Sequence, residues 1–272
     1  MNINKIIIWG HKLHDHTHSY IHNAFFKTFK HLGYKTHWFS NDYNKDFDFN
    51  NSLFLTHGME CSNIPINNSS FYLFHNCHLV GNDLKIPYNH ILKNKNLGIN
   101  KNNILFFQVL TKECYFRDFK FNNNHIYRYN TDIIYFPWAT DLLPNEIDKN
   151  IENLKEISKK NKEKLQVNFV GMPLQQWDIL KKYIEKNNIK YNNYGGTFDV
   201  NSDRNKTIEE NQELIQKSII APALQTQWQI DNHYIPCRIF KNISYGKIGI
   251  TNNEAVYNLF NQKIIYSKSI EE

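Results

Sequence analysis

The chain has 272 residues, 41% of them hydrophobic and 15% aromatic, which suffices for one large core or two of about 130 residues each. Its net charge of +6, from 32 basic and 26 acidic residues, suits a phosphate-bearing ligand or an anionic surface, and no basic block with interleaved aromatics forms a nucleic-acid footprint. No apolar run reaches the roughly 18 residues needed to cross a bilayer; Cys61, Cys77, Cys114 and Cys237 lack paired metal spacing, and no signal-peptide pattern leads them, so a reduced cytoplasmic setting is expected, peripheral if at a membrane.

Lys5–Trp9 is an apolar run ending at Gly10 and predicts the first strand of a parallel sheet. After a loop, His18–Leu32 places Ile21, Phe25, Phe29 and Leu32 on one helical face, with Gly33 as the stop and Thr36–Phe39 as the next strand. Strand, helix and strand in this order form a βαβ unit, which packs as a parallel pair. Further strands are expected at Ser52–Thr56, Phe71–Phe74, Ile104–Leu110 and Ile133–Phe136. The succession predicts a doubly wound α/β sheet with its ligands beyond the carboxyl ends of the strands. Asn-rich patches such as Asn50-Asn51 read as loop filler.

Between Leu142 and Lys164 the composition turns charged and the apolar runs stop, so a boundary is expected there, giving domains 1–145 and 146–272. Lys155–Lys164 reads as a charged, solvated helix. Val167–Val170 with Gly171 opens a second βαβ series, continued by a helix at Leu174–Lys186, a strand at Lys190–Tyr194 and a turn at Gly195-Gly196. Thr207–Lys217 reads as a helix with Thr207 as cap and Glu210 at the capping-box position. Ser218–Ala221 is expected as a strand, Pro222–His233 as a polar loop and Lys263–Tyr266 as a last short strand.

The stretch from Tyr234 to Thr251, YIPCRIFKNISYGKIGIT, reads as a helix, a glycine stop at Gly246 and a strand over Lys247–Thr251. Ile235, Ile239 and Ile243 form an apolar stripe, and Tyr234, Arg238, Lys241 and Tyr245 line the other face. Pro236 suits a first helical turn, where its missing N–H would be unpaired. Arg and Lys in the first two turns, with the positive end of the helix dipole, suit an anion such as phosphate.

This stretch resembles the donor-binding motif of GT-B glycosyltransferases, in which a helix, a glycine step and an apolar strand close over the diphosphate of a nucleotide sugar. The segment YFPWATD, Tyr135–Asp141, resembles the exit of their N-terminal domain. The two acidic positions that many retaining members carry, eight apart, correspond here to His233 and Lys241, and the stereochemical outcome stays open. The resemblance implies two Rossmann-like domains facing across a cleft: 1–145 for the acceptor and 146–272 for the nucleotide sugar. Arg238 and Lys241 would hold the diphosphate, with Tyr234, Asn242 and Gly246 beside them and Gly171 allowing close approach. Gln225, Gln227 and Gln229 could read a nucleobase edge and Trp228 could stack on a base or a sugar, or else anchor the loop in the core. GT-B enzymes usually continue with a further helix where this sequence stops at Glu272, so a minimal or a shortened form is expected.

The loop from Gly10 to His22 holds five histidines, His11, His14, His16, His18 and His22, with Asp15 among them. A near-neutral histidine oriented by a carboxylate suits the base that takes the acceptor's proton. Some inverting GT-B enzymes use a histidine in this first loop, which points to His16 or His18 with Asp15 as partner. The same loop could instead hold a metal, through the closely spaced ligands of His14–His18, or serve the acceptor or the surface. Asp46-Phe47-Asp48 has the D-x-D form by which GT-A enzymes hold a metal and reads here as solvated loop. Phosphate-loop, dinucleotide and nucleophile-elbow motifs are absent, against a P-loop NTPase, a standard dehydrogenase or a serine hydrolase. The expected activity is metal- and cofactor-independent glycosyl transfer from a nucleotide sugar to a glycan or other hydroxyl. The alternatives are a two-domain protein that binds a phospho-ligand or glycan without chemistry and a metal enzyme using the histidine loop.

Overall fold

The computed structural model of the chain describes residues 3–14, 17–40, 46–57, 64–75, 103–108, 133–135, 137–160, 166–172, 175–196 and 206–271. The chain divides into two compact units, Met1–Pro137 and Trp138–Glu272. The division falls before the residue 145 expected from composition, because the side chain of Asp141 is bonded to Lys241 and Tyr245 of the second unit.

The first unit is built on one sheet of β1 (Lys5–Trp9), β2 (Thr36–Phe39), β3 (Ser52–His57), β4 (Phe71–His75), β5 (Ile104–Gln108) and β6 (Ile133–Tyr135). All six pair in parallel, in the order β2-β1-β3-β4-β5-β6. Such an order reverses between β1 and β3, the switch point at which doubly wound sheets bind ligands. β1 is buried along its whole length, as a central parallel strand covered on both faces must be, which is why it reads as an unbroken apolar run. The fully buried Ile7, Ile8, Trp9, Phe54, Leu55, Tyr72 and Phe74 form the core. Helix α1 (Thr17–His31) crosses from β1 to β2 and ends in a Schellman turn, with Gly33 at φ +84°, Gly33 N–H on Lys30 O and Tyr34 N–H on Phe29 O. Leu32 lies past the last helical residue and is 61% exposed, so it leaves the apolar face expected of it.

The second unit carries α2 (Pro144–Lys160), β7 (Gln166–Val170), α3 (Gln175–Lys186), β8 (Lys190–Tyr194), α4 (Ile208–Lys217), α5 (Gln227–Asp231), α6 (Cys237–Ser244), β9 (Ile250–Thr251), α7 (Glu254–Leu259) and β10 (Ile265–Tyr266). β7 pairs with β8 and β9 with β10, each in parallel. The expected strand at Ser218–Ala221 is an extended segment between these pairs: Ile219 N–H donates to Gln166 O at 2.9 Å, and Ala223 N–H to Ile250 O at 2.8 Å. Val170 packs against the cluster of Ile215, Ala221 and Tyr245, and the bridge from Ala223 to Thr251 is parallel. β7–β8 and β9–β10 form two separate two-stranded sheets.

Two helices were not expected from sequence. Helix α5 lies inside the supposed polar loop and is closed by a capping box between Thr226 and Gln229. Helix α7 starts at an Asn253 cap. The strand expected at Lys247–Thr251 is confined to Ile250–Thr251, because Lys247 N–H closes the Schellman turn of α6 on Asn242 O and Ile248 is 70% exposed. The capping box of α4, Thr207 with Glu210, forms as expected. Among the described residues no helix is long and apolar enough to cross a membrane.

Candidate functional site

β7 and β8 end side by side. Val170 and Tyr194 are paired, so Gly171 and Gly195 follow side by side, and Gly171 N–H donates to Tyr194 O at 2.8 Å. Both glycines have left-handed backbones, φ +135° and +113°. A Cβ on Gly195 would stand 3.1 Å from Gly171 N, and a Cβ on Gly171 would stand 2.7 Å from Nη2 of Arg238. Two of the expected donor-site residues, Gly171 and Arg238, therefore meet, joined by Gly195, which sequence reading took for a turn.

Arg238 is the second residue of α6. Its Nη1 donates to Val170 O at 2.8 Å, and its guanidinium carbon lies 4.5 Å from the centroid of the Phe169 ring. Phe169 is itself held by Trp177, with centroids 3.9 Å apart. A planar, permanently charged group is thus fixed at the exit of β7, in the first turn of a helix whose cap, Pro236, supplies no side-chain hydrogen bond.

The other donor-site candidates have structural roles. Lys241 Nζ lies 2.8 Å from Asp141 Oδ2, with the side chains 21% and 3% exposed. Tyr245 O–H donates to Asp141 Oδ1 at 2.7 Å, and the hydroxyls of Thr140 and Ser244 share a hydrogen bond at 2.6 Å. Burial alone would raise the Asp141 carboxyl, but the Lys241 ammonium and the hydrogen bonds from Lys241 and Tyr245 outweigh it and hold its pKa below the usual value. Burial opposes the Lys241 ammonium too, and the Asp141 charge overcomes it to raise its pKa. The ammonium expected on the diphosphate is therefore held in an internal ion pair, and Lys241, Ser244 and Tyr245 of this stretch are bonded to Thr140 and Asp141. Nothing in the local sequence reveals an ion pair spanning a hundred positions; the one signal was an acid in the otherwise apolar exit YFPWATD.

Gln225 is 1% exposed and donates through Nε2 to Tyr234 O at 2.8 Å. Asn242 is 4% exposed, with Nδ2 on Ala221 O at 2.6 Å. Gly246, at φ +88°, ends α6, and a Cβ there would stand 2.0 Å from Leu154 Cδ1 of α2. The Tyr234 phenol is pushed well up, chiefly by burial, and hydrogen-bonds the indole of Trp138. Gln225 and Asn242 are thus buried and hydrogen-bonded within the second unit, and Gly246 ends α6 against Leu154.

In the first unit the histidine loop follows β1 at the switch point. His22 is fully buried: its Nδ1 lies 3.2 Å from Gly10 O, which also accepts the Trp38 indole N–H at 2.9 Å. His11 lies near it, ring centroids 6.3 Å apart. His14 has φ +75°, with its N–H on Ser19 Oγ at 3.1 Å and Nδ1 3.2 Å from the Tyr20 hydroxyl. His18 is half-buried in the first turn of α1; Asp15 and His16 lie outside the described residues. No three-ligand metal cluster occurs among the described residues. Asp48 of the D-x-D pairs with Lys5, Nζ to Oδ2 at 3.0 Å.

No family model matches the chain, and no curated protein and no solved structure is significantly similar to it.

Proposed function

We propose that the chain is a glycosyltransferase that moves a sugar from a nucleotide-sugar donor to a hydroxyl of a glycan or other acceptor, with the donor diphosphate held at Arg238. The observation that carries this reading is the meeting of Arg238 with Gly171, itself packed on Gly195, at the carboxyl ends of the parallel strands β7 and β8, the end at which α/β folds bind ligands. In the transfer, the acceptor oxygen bonds to the anomeric carbon as the bond from that carbon to the phosphate oxygen breaks. Its electron pair leaves with the nucleoside diphosphate, and the acceptor proton passes to a base. Arg238 and the first-turn N–H groups of α6 offset the charge on the leaving group. Lys241 takes no part in this, since its charge serves Asp141. The base is assigned to the histidine loop that follows β1 in sequence, to His16 or His18 with Asp15 as orienting partner.

A thermal-shift panel of nucleotide sugars, followed by assay for released UDP or GDP, tests the reading. Arg238→Ala should weaken donor binding by roughly 10- to 150-fold, the range for losing a hydrogen bond to a charged group. Turnover at the wild-type level in that variant overturns the proposal. Donor binding with neither transfer nor hydrolysis would assign a two-domain binding protein in its place.

A further inference from the structure

The turn that closes α1 projects from the first unit. Every residue from Lys30 to Lys35 is exposed. Leu32 is 61% and Tyr34 56% exposed, and nothing lies within 4 Å of the place a Cβ on Gly33 would take. The ring of Tyr34 meets Phe29 edge-on, with centroids 6.0 Å apart, which is the apolar contact that a Schellman turn usually makes. That contact explains the place of Tyr34; Leu32, one residue before Gly33, is left in water.

The turn is also basic. Lys30, His31 and Lys35 belong to the same exposed run, Lys27 precedes it on α1, and no Asp or Glu occurs between Asp15 and Asp42. Lys30 Nζ stands 5.2 Å from the centroid of the Phe26 ring. The acids Asp46 and Asp48 flank Phe47, whose ring meets His37, whereas Trp38 meets Phe26 of α1. Neighbouring strand residues point to opposite faces, so this acidic stretch covers the face of β2 away from α1, and Asp48 is already paired with Lys5. The turn's position is fixed as well: α1 crosses from the carboxyl end of β1 to the amino end of β2, and Ile6 N–H donates to Lys35 O at 2.9 Å. It therefore lies at the amino end of the sheet, opposite the end at which the histidine loop follows Gly10.

Apolar residues exposed singly are ordinary. A leucine and a tyrosine at the apex of a projecting, basic, acid-free turn form a narrower combination, and it matches the layers of a bilayer surface. The aliphatic side chain reaches the acyl boundary, the phenol suits the headgroup level and the lysines meet lipid phosphates. A specific protein partner needs about 800 Å² on each side, more than one turn offers. We propose that the turn Lys30–Lys35 docks the protein on an anionic phospholipid surface. The inference does not depend on the sugar-transfer reading above. Docked in this way, the first unit turns the carboxyl ends of its strands away from the lipid.

Co-sedimentation of the full chain with vesicles of phosphatidylcholine, and of phosphatidylcholine mixed with phosphatidylserine in equal parts, tests it. Binding should favour the mixed vesicles and weaken with salt. A lysine near an anionic surface changes partitioning by about 5-fold, so Lys30→Gln combined with Lys35→Gln should lower binding by about 25-fold and flatten the salt dependence. Leu32→Ser should lower it by about 10-fold and keep the thermal midpoint. Failure of the wild type to bind the mixed vesicles overturns the inference, as do equal binding to both vesicle types and binding that either variant leaves unchanged. Binding to soluble polyglutamate as strong as to the mixed vesicles, indifferent to Leu32→Ser, would assign an acidic protein partner and overturn it too.

Discussion

Replacing Asp141 by Ala would leave the Lys241 ammonium and the Tyr245 hydroxyl facing a gap in a site where the carboxylate is 3% exposed. Losing one partner of a buried pair costs several kcal/mol, and with Lys241 still 21% exposed about 2–3 kcal/mol is expected from urea unfolding. Asp141→Leu combined with Lys241→Met should cost less than the two single changes summed, since neither then strands a charge. The pH profile of the wild type should carry the same signature. The Asp141 pKa is lowered on folding, so its contribution is complete above the unfolded value of about 3.9 and is lost as pH falls through the lower folded value. The Lys241 pKa is raised, so its contribution is complete below about 10.4 and is lost as pH rises through the higher folded value. His37, held low by burial and then by Lys35 and Lys5, adds a separate acid-side loss that begins as pH drops below about 6.5. Asp141→Asn should remove the low-pH component of the pair and leave the His37 component in place. At this scale sequence is blind to partners: the charge of Arg238 and the missing side chain of Gly171 are local facts, whereas the partners of Arg238, Lys241, Gln225 and Asn242 lie 68, 100, 28 and 21 positions away.

Elements were read well where one force dominated. The buried parallel strands announce themselves as apolar runs, and α1 and α6 by their stripes and glycine stops. Helix α5 escaped because QWQID has no apolar stripe; what sets it is the reciprocal cap, and Thr226 with Gln229 three residues on was the signal available. The strand expected at Ser218–Ala221 is extended chain, tied to β7 by the bond from Ile219 N–H to Gln166 O and followed by the bond from Ala223 N–H to Ile250 O, and it belongs to neither two-stranded sheet. The two Schellman glycines allow a controlled comparison. Gly33→Ala meets open space at φ +84° and should cost about 1 kcal/mol, the penalty for a side chain in a left-handed backbone. Gly246→Ala has nearly the same φ, +88°, but meets Leu154 at 2.0 Å. It should cost about 1–3 kcal/mol more in chemical denaturation, the usual range for overpacking, and Leu154→Ala should relieve part of that excess.

The whole chain is two compact units, each with buried hydrophobic residues of its own and each with parallel strands. Such units can respond to a ligand separately. Adding a nucleotide sugar should slow amide exchange at 166–171, 194–196 and 225–240 by about 10-fold or more if bound at 100 times its dissociation constant, as read by hydrogen-exchange mass spectrometry. Unchanged exchange across all these segments in the presence of a bound donor would move its site elsewhere. The junction bears on how such a response travels. Trp138, Thr140 and Asp141, the first residues after Pro137, are fastened to Tyr234, Ser244 and Lys241. A tug on the backbone at the start of the second unit is therefore passed directly, through side-chain bonds, to α6, the helix that carries Arg238.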